Sequence, residues 1–117
     1  MPNELHGSSA SAVRHVIDLM GRFGAVHARP MFGGHGMFRS GIMFAILIKG
    51  DLYLKVDDAS RIHFAQRNLR AFTYQSKGRP VQLSYHEAPA DAMEDEAVMA
   101  EWCERAWQAA LRSKGGA

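Results

Sequence analysis

The sequence has 117 residues, of which 47% are hydrophobic and 22% are charged, and its formal net charge is +2. This length is typical of one domain, and the balance of apolar and charged residues excludes a disordered chain and a coiled coil. The single cysteine excludes an intramolecular disulfide, and no apolar run approaches the roughly 20 residues that span a bilayer. We therefore expect one folded domain in the cytoplasm.

The N-terminal part predicts a lead-in followed by a helix. Residues 1–8 combine proline, glycine and polar residues without periodicity, so we expect them to be flexible. From residue 9 onward, apolar residues recur at the spacing of one helical face: Val13, Val16, Ile17, Met20 and Phe23. Gly24 is suited to end this helix.

The stretch Arg29–Val56 contains four apolar runs separated by glycines, which predicts an antiparallel sheet. Pro30 predicts that the first strand lies at an edge or begins irregularly, because proline cannot donate a hydrogen bond to a neighbouring strand. Gly33, Gly34 and Gly36 indicate a bulge, a bend or a close backbone approach. We favour these roles over phosphate binding, because no helix and no GK[ST] ending follow the glycines.

Ile42–Ile48 is apolar at both alternating sets of positions, which predicts a strand covered on both faces. Helices can cover one face, and the other face then needs a loop layer or a second subunit. The preceding turn is predicted at Ser40-Gly41. The following turn, in Lys49–Leu52, is predicted to be type II′ with Gly50 at its first central position.

The C-terminal half predicts a short helix, a hairpin and a long helix. The short helix is expected from Asp57 or Asp58 to about Arg67, and the long helix starts at Asp91 or Asp95. The hairpin is expected from two apolar segments, Phe72–Tyr74 and Val81–Tyr85. The predicted fold class is therefore α+β, with a two-layer arrangement in which an antiparallel sheet (meander plus hairpin) packs against three helices. The expected order is α-β-β-β-β-α-β-β-α.

The residues that could act in catalysis are better explained by structural roles. Cys103 lies beside Trp102 on the predicted packing helix, where a free thiol is usually a small apolar filler. Asp57 and Asp58 stand directly before a helix, which favours capping. The sequence contains no GxSxG motif. We therefore predict no catalytic residues and a protein that is not an enzyme.

The six histidines show no zinc-ligand spacing. His27 and His35 could meet across a hairpin, and Glu87 could join them. A small-molecule or metal site near these two histidines is therefore a third functional hypothesis, although we expect no metal and no cofactor, because a competent site needs three or four convergent ligands.

Basic residues gather around the second helix and the last hairpin. They could contact phosphates, while the interspersed Tyr53, Tyr74 and Tyr85 could stack on bases. We favour a solvated rim, given the small net charge, and keep direct nucleic-acid binding as the alternative function. The candidate nucleic-acid contacts are Arg61, Arg67, Arg70, Lys77 and Arg79.

An ordered series of strings resembles the N-terminal domain of the TfoX/Sxy regulators of bacterial competence. The series covers about residues 10–112 and consists of MFGGHGMF at 31–38, GIMFA at 41–45, LYLKVDD at 52–58, FTY at 72–74, KGR at 77–79 and SY at 84–85. The resemblance implies a cytosolic α+β domain, residues 9–113, with a tail at 114–117.

The resemblance also implies a function. It suggests a co-regulator of DNA-uptake genes that works with the cyclic-AMP receptor protein at promoters, and it supplies no catalytic residues. Full-length regulators continue into a second, helical domain, whereas this sequence ends at Ala117, so we expect a stand-alone relative with its own regulatory partner.

We therefore expect a non-enzymatic protein-interaction domain in transcriptional regulation, with a homodimer as a further possibility. The expected interaction surface consists of Met31, Phe32, Gly33, Gly34 and Phe38.

Overall fold

The computed structural model describes residues 10–31 and 33–115. The predicted lead-in at residues 1–8 lies outside the described residues, and so does Phe32. The described chain contains three helices and six strands in the predicted order. They are α1 (Ala10–Leu19), β1 (His27–Met31), β2 (Gly34–Arg39), β3 (Ile42–Ile48), β4 (Asp51–Lys55), α2 (Arg61–Ala65), β5 (Ala71–Ser76), β6 (Arg79–Glu87) and α3 (Glu96–Gly115). A short 3-10 turn, Ala90–Met93, precedes α3.

The six strands form one antiparallel sheet in the order β1-β2-β3-β4-β6-β5. The first four strands make a meander, and the β5–β6 hairpin joins it through β6, which pairs with β4. Pro30 lies in β1, an edge strand of this sheet, as its missing N–H predicted. The α+β class and the order of elements are confirmed.

The three helices pack against one face of the sheet, which we call the inner face. Val16 of α1, Phe64 of α2 and Trp102 of α3 belong to the same buried cluster as Leu47 of β3 and Leu54 of β4. Because side chains alternate along a strand, residues one position away point to the opposite side, which we call the outer face. No helix in the described part of the chain is long and apolar enough to cross a membrane.

The start of α3 is fixed by a side-chain cap. The Asp95 carboxylate accepts hydrogen bonds from the N–H groups of Ala97, at 2.7 Å, and Val98, at 3.2 Å. Of the two predicted starts, Asp95 is therefore the one that the structure shows. The buried stripe of α3 runs through Met99, Trp102, Cys103, Ala106 and Ala110. Ala97, in the first turn of α3, lies off this stripe and is exposed.

The hairpin turns share one backbone geometry. Lys49 and Gly50 both have positive φ, 53° and 84°, and Ile48 pairs with Asp51, which defines a two-residue type I′ turn. The predicted type II′ turn is wrong, because Lys49 and not Gly50 occupies the first central position. The turn at Ser40-Gly41 is confirmed and also has positive φ at both residues.

Gly34 and Gly36 allow β2 to lie close to its neighbours. A Cβ atom at Gly34 would lie well inside van der Waals contact with the Leu47 carbonyl oxygen, and one at Gly36 would lie 2.7 Å from the sulfur atoms of both Met31 and Met43. The predicted close approach is therefore the role of these two glycines. A bulge is also present, but the register shift falls between Met37 and Phe38, after the glycines.

We expect Gly34→Ala to lower the free energy of unfolding by about 1–3 kcal/mol, because the new methyl group meets rigid backbone. Gly36→Ala should cost less, because the sulfur atoms that it meets end flexible side chains. Urea denaturation followed by circular dichroism measures both values. Equal stability of Gly34→Ala and the wild type would contradict the close approach.

Candidate functional site on the outer face of the sheet

The outer face is the side of the sheet that no described helix covers. Leu52 and Leu54 of β4 are buried on the inner face, so Tyr53, between them, points outward. Tyr53 pairs with Ile46, and Ile46 pairs with Gly36, so these three residues share the outer face. The outer face carries two groups of side chains with different chemistry.

The first group surrounds Gly36 and is named the methionine patch: Met31, Phe38 and Met43. The sulfur atoms of both methionines and the edge of the Phe38 ring close over the space that a Gly36 side chain would fill. All three side chains remain partly exposed. The Arg29 guanidinium lies over the Phe38 ring, 5.1 Å from its centroid. The patch is therefore apolar with a cation at its rim.

Ile46, beside the methionine patch, is relevant to the prediction that β3 is covered on both faces. Ile46 lies on the outer face opposite Gly36, yet none of its surface is exposed. No helix in the described part of the chain covers this face. The expected second subunit on this face stays a prediction.

The structure places the residues of the predicted interaction surface in different environments. Met31 and Phe38 lie in the methionine patch, whereas Gly34 is buried between strands and Gly33 is an exposed turn residue with a φ of 76°. Phe32 lies outside the described residues. Met43 also belongs to the patch, but the sequence interpretation missed it. Its outward direction is indicated by its position between Ile42 and Phe44 of β3, which both face inward.

The second group is the aromatic row, formed by Tyr53, Phe72 and Tyr74. The ring centroids of Tyr53 and Phe72 are 4.9 Å apart, and the Phe72 and Tyr74 rings stack at 6.2 Å. Because β6 separates β4 from β5, the Tyr53 and Phe72 rings meet above β6. Partial burial raises the pKa of Tyr53, and the carboxylates of Asp51 and Glu87 raise it further.

Tyr85 lies outside the aromatic row. It is buried, and this burial raises its pKa to about 12. The Lys55 ammonium lies over its ring, 5.2 Å from the centroid, and donates a hydrogen bond to the Ser84 hydroxyl at 2.6 Å. Partial burial lowers the pKa of Lys55, which the Asp57 carboxylate opposes.

The predicted nucleic-acid contacts belong to different parts of the fold. Arg61 is the first residue of α2 and Arg67 follows this helix, both in the helix layer, and Arg70 precedes β5. Each of these three guanidinium groups forms an ion pair: with Asp58 at 2.7 Å, Asp91 at 3.2 Å and Glu87 at 3.4 Å, respectively. Lys77 and Arg79 lie at the β5–β6 turn, and within the described residues neither forms an ion pair. The predicted contact set stays a prediction.

The two histidines of the third hypothesis do not meet. His27 pairs with Phe38 and points to the outer face, whereas His35 pairs with Pro30 and with Leu47 and points to the inner face. The contact considered for them across the hairpin is absent, because the register places the two side chains on opposite sides of the sheet. Glu87 lies in β6 and is bound to Arg70. The described residues contain no group of three potential metal ligands.

The side chains that were considered for catalysis, Cys103 and Asp57, have structural roles in the fold. Cys103 is buried, which raises the pKa of its thiol to about 12. A hydrogen bond from Arg112 at 2.6 Å lowers the pKa of the Asp57 carboxyl to about 2, and the Ser60 N–H donates to it at 3.0 Å. Asp57 therefore caps the turn before α2. The helix begins later than expected, at Arg61.

These observations define an antiparallel α+β domain in which the described helices all pack on one face of the sheet. The model of the TfoX N-terminal domain matches residues 18–110 of the chain. The chain belongs to this competence-related family, and the match confirms the resemblance in the sequence. A comparison with curated proteins gave no significant match.

We expect Asp57→Asn to reduce the free energy of unfolding at pH 7 by about 1 kcal/mol, a value kept low because Arg112 is half exposed. The pKa of Asp57 is lower in the folded protein, about 2, than its ordinary value of 3.8. Its contribution is therefore present above the ordinary value and is lost as the pH falls through about 2.

Urea denaturation of the wild type and Asp57→Asn, repeated from neutral to acidic pH, measures this effect. Asp58→Asn is the matched control, because the Asp58 side chain is almost fully exposed and pairs only with the nearby Arg61. A stability difference between the wild type and Asp57→Asn that stays constant across this range would contradict the assigned role of the carboxylate.

Proposed function

We propose that this domain is a non-enzymatic regulatory module that binds a protein partner through the methionine patch. The family suggests the setting: transcriptional control of DNA-uptake genes, with a transcription factor such as the cyclic-AMP receptor protein as the partner. The observation that carries the proposal is a sheet face that no helix of the described chain covers, on which Met31, Phe38 and Met43 are partly exposed around Gly36.

The chemistry of the patch supports protein binding. Methionine is unbranched and polarizable, so it adapts to a partner's surface, and it is enriched at interfaces together with aromatic residues and arginine. The patch contains two methionines and one phenylalanine, and Arg29 at its rim provides a charged group that can orient a partner. An apolar cluster with a charged rim is the usual arrangement of a protein interface.

The state of the reactive groups supports a non-enzymatic role. A thiol whose pKa is about 12 is not a thiolate near neutral pH, so Cys103 is a poor nucleophile. The Asp57 carboxylate is held by Arg112 and by the backbone of Ser60, and its low pKa makes it a weak base. The proposal assigns the domain to the cytoplasm, because bacterial transcription takes place there.

Binding of the purified cyclic-AMP receptor protein to the immobilised domain, measured by interferometry with cyclic AMP present, tests the proposal. We expect Met43→Lys to weaken binding by about tenfold or more, because it places a charge at the centre of an apolar contact. The matched control is Ile62→Lys, since Ile62 is 55% exposed on α2 in the helix layer. Thermal melts establish that both variants fold.

Two results would contradict the proposal. Failure of the wild-type domain to bind would contradict the assignment of this partner. Equal losses for Met43→Lys and Ile62→Lys would contradict the assignment of the binding surface to the methionine patch.

A further inference from the structure

We infer that the aromatic row, together with the cations at the β5–β6 turn, binds single-stranded nucleic acid. The row occupies a different part of the outer face from the methionine patch, on β4 and β5 instead of β1–β3. The inferred binding of nucleic acid therefore does not depend on the proposed protein-binding function.

The rings are arranged as a surface on which bases can stack. Tyr74 is 37% exposed, one of two large hydrophobic residues in the described part of the chain with such exposure, and Phe72 and Tyr53 are partly exposed beside it. The planes of Phe72 and Tyr74 differ by 23°, so the two rings are close to parallel. Aromatic side chains on an open sheet stack on unpaired bases in RNA-recognition domains and in single-strand binding proteins.

The charge beside the row complements a phosphate backbone. Tyr74 pairs with Val81, and Arg79 lies two residues before Val81 in β6, so Arg79 shares the outer face with Tyr74. Lys77 lies in the adjoining turn. Within the described residues, no carboxylate is paired with either cation, so both are available for phosphate contacts.

Two carboxylates, Asp51 and Glu87, lie close enough to raise the pKa of Tyr53, and one of them, Glu87, is paired with a cation. Glu87 faces Tyr53 across the β4–β6 pair, and its two oxygens accept hydrogen bonds from the backbone N–H and the guanidinium of Arg70. The Arg70 side chain is 85% exposed, so it also presents positive charge at this edge of the row. The cations Arg70, Lys77 and Arg79 therefore border the rings, which favours a polyanion over a second copy of this chain.

The geometry favours single strands over a duplex. The rings lie across β4 and β5 and meet above β6, so they form part of a sheet surface and not a protruding helix or ribbon. A double helix keeps its bases stacked inside and offers only their edges and its phosphates to such a surface. Unpaired bases can instead place their faces on the rings.

Fluorescence anisotropy with a labelled oligothymidylate of about 12 nucleotides tests the inference, because small single-strand binding domains cover roughly 4–16 nucleotides. A duplex of the same length and an oligouridylate serve as the comparison ligands. We expect the wild-type domain to bind the single strands more tightly than the duplex, and the affinity to fall as the salt concentration rises.

The variants separate stacking from charge. Tyr74→Ala should weaken binding roughly tenfold or more, the size expected for the loss of one stacked base, whereas Tyr74→Phe should retain the affinity. Arg79→Gln should weaken binding and reduce the salt slope by about 0.7, the value for one phosphate contact with a single strand. Tyr74 and Arg79 are exposed, so these variants should fold, which thermal melts verify.

The matched controls lie in the helix layer. Ile62→Ala removes the other exposed large hydrophobic side chain, and Arg61→Gln removes an arginine that is paired with Asp58. Both should leave the affinity unchanged. Absence of binding at low salt, preference for the duplex, or equal losses in these controls would overturn the inference while leaving the protein-binding proposal standing.

Discussion

The close approach of β2 to its neighbours at Gly34 and Gly36 is the constraint on which much of the architecture depends. At Gly34 the backbone of β3 occupies the place that a side chain would fill, and at Gly36 the sulfur atoms of Met31 and Met43 do so. Only glycine satisfies both contacts without displacing a strand or a side chain. The glycines thus keep the β1–β3 part of the sheet closely paired, and they let apolar side chains gather on the outer face above Gly36.

The described helices all pack on the inner face, and this placement leaves the outer face to the side chains of the strands. All three helices bury apolar residues in one core against the inner face, including Phe64 of α2 and Trp102 of α3. The described chain thus leaves the outer face to side chains of the sheet alone. The methionine patch lies over β1–β3 and the aromatic row lies over β4–β5, so the face divides into an apolar part and an aromatic part bordered by cations. The two proposed partners use different parts of one surface.

Local sequence patterns predicted most of the elements but few of the long-range contacts. The edge position of Pro30 and the turn at Ser40-Gly41 follow from local backbone chemistry and are confirmed. The contact considered for His27 and His35 is absent because hairpin register decides which face a side chain occupies. The aromatic row could not be derived, because it requires β6 to insert between β4 and β5. The bond between Asp57 and Arg112 joins residues 55 positions apart, which no local pattern indicates.

The accessibility of the outer face is the most direct test of both proposed functions, because each partner needs that face to be free. Nuclear magnetic resonance of methionine methyl groups, with a soluble paramagnetic agent added, reports which methyl groups meet solvent. We predict that the signals of Met31 and Met43 broaden strongly, while those of the buried Met20, Met37 and Met99 stay sharp. Protection of Met31 and Met43 equal to that of the buried methionines would contradict it, because another part of the chain or a second subunit would then cover the face.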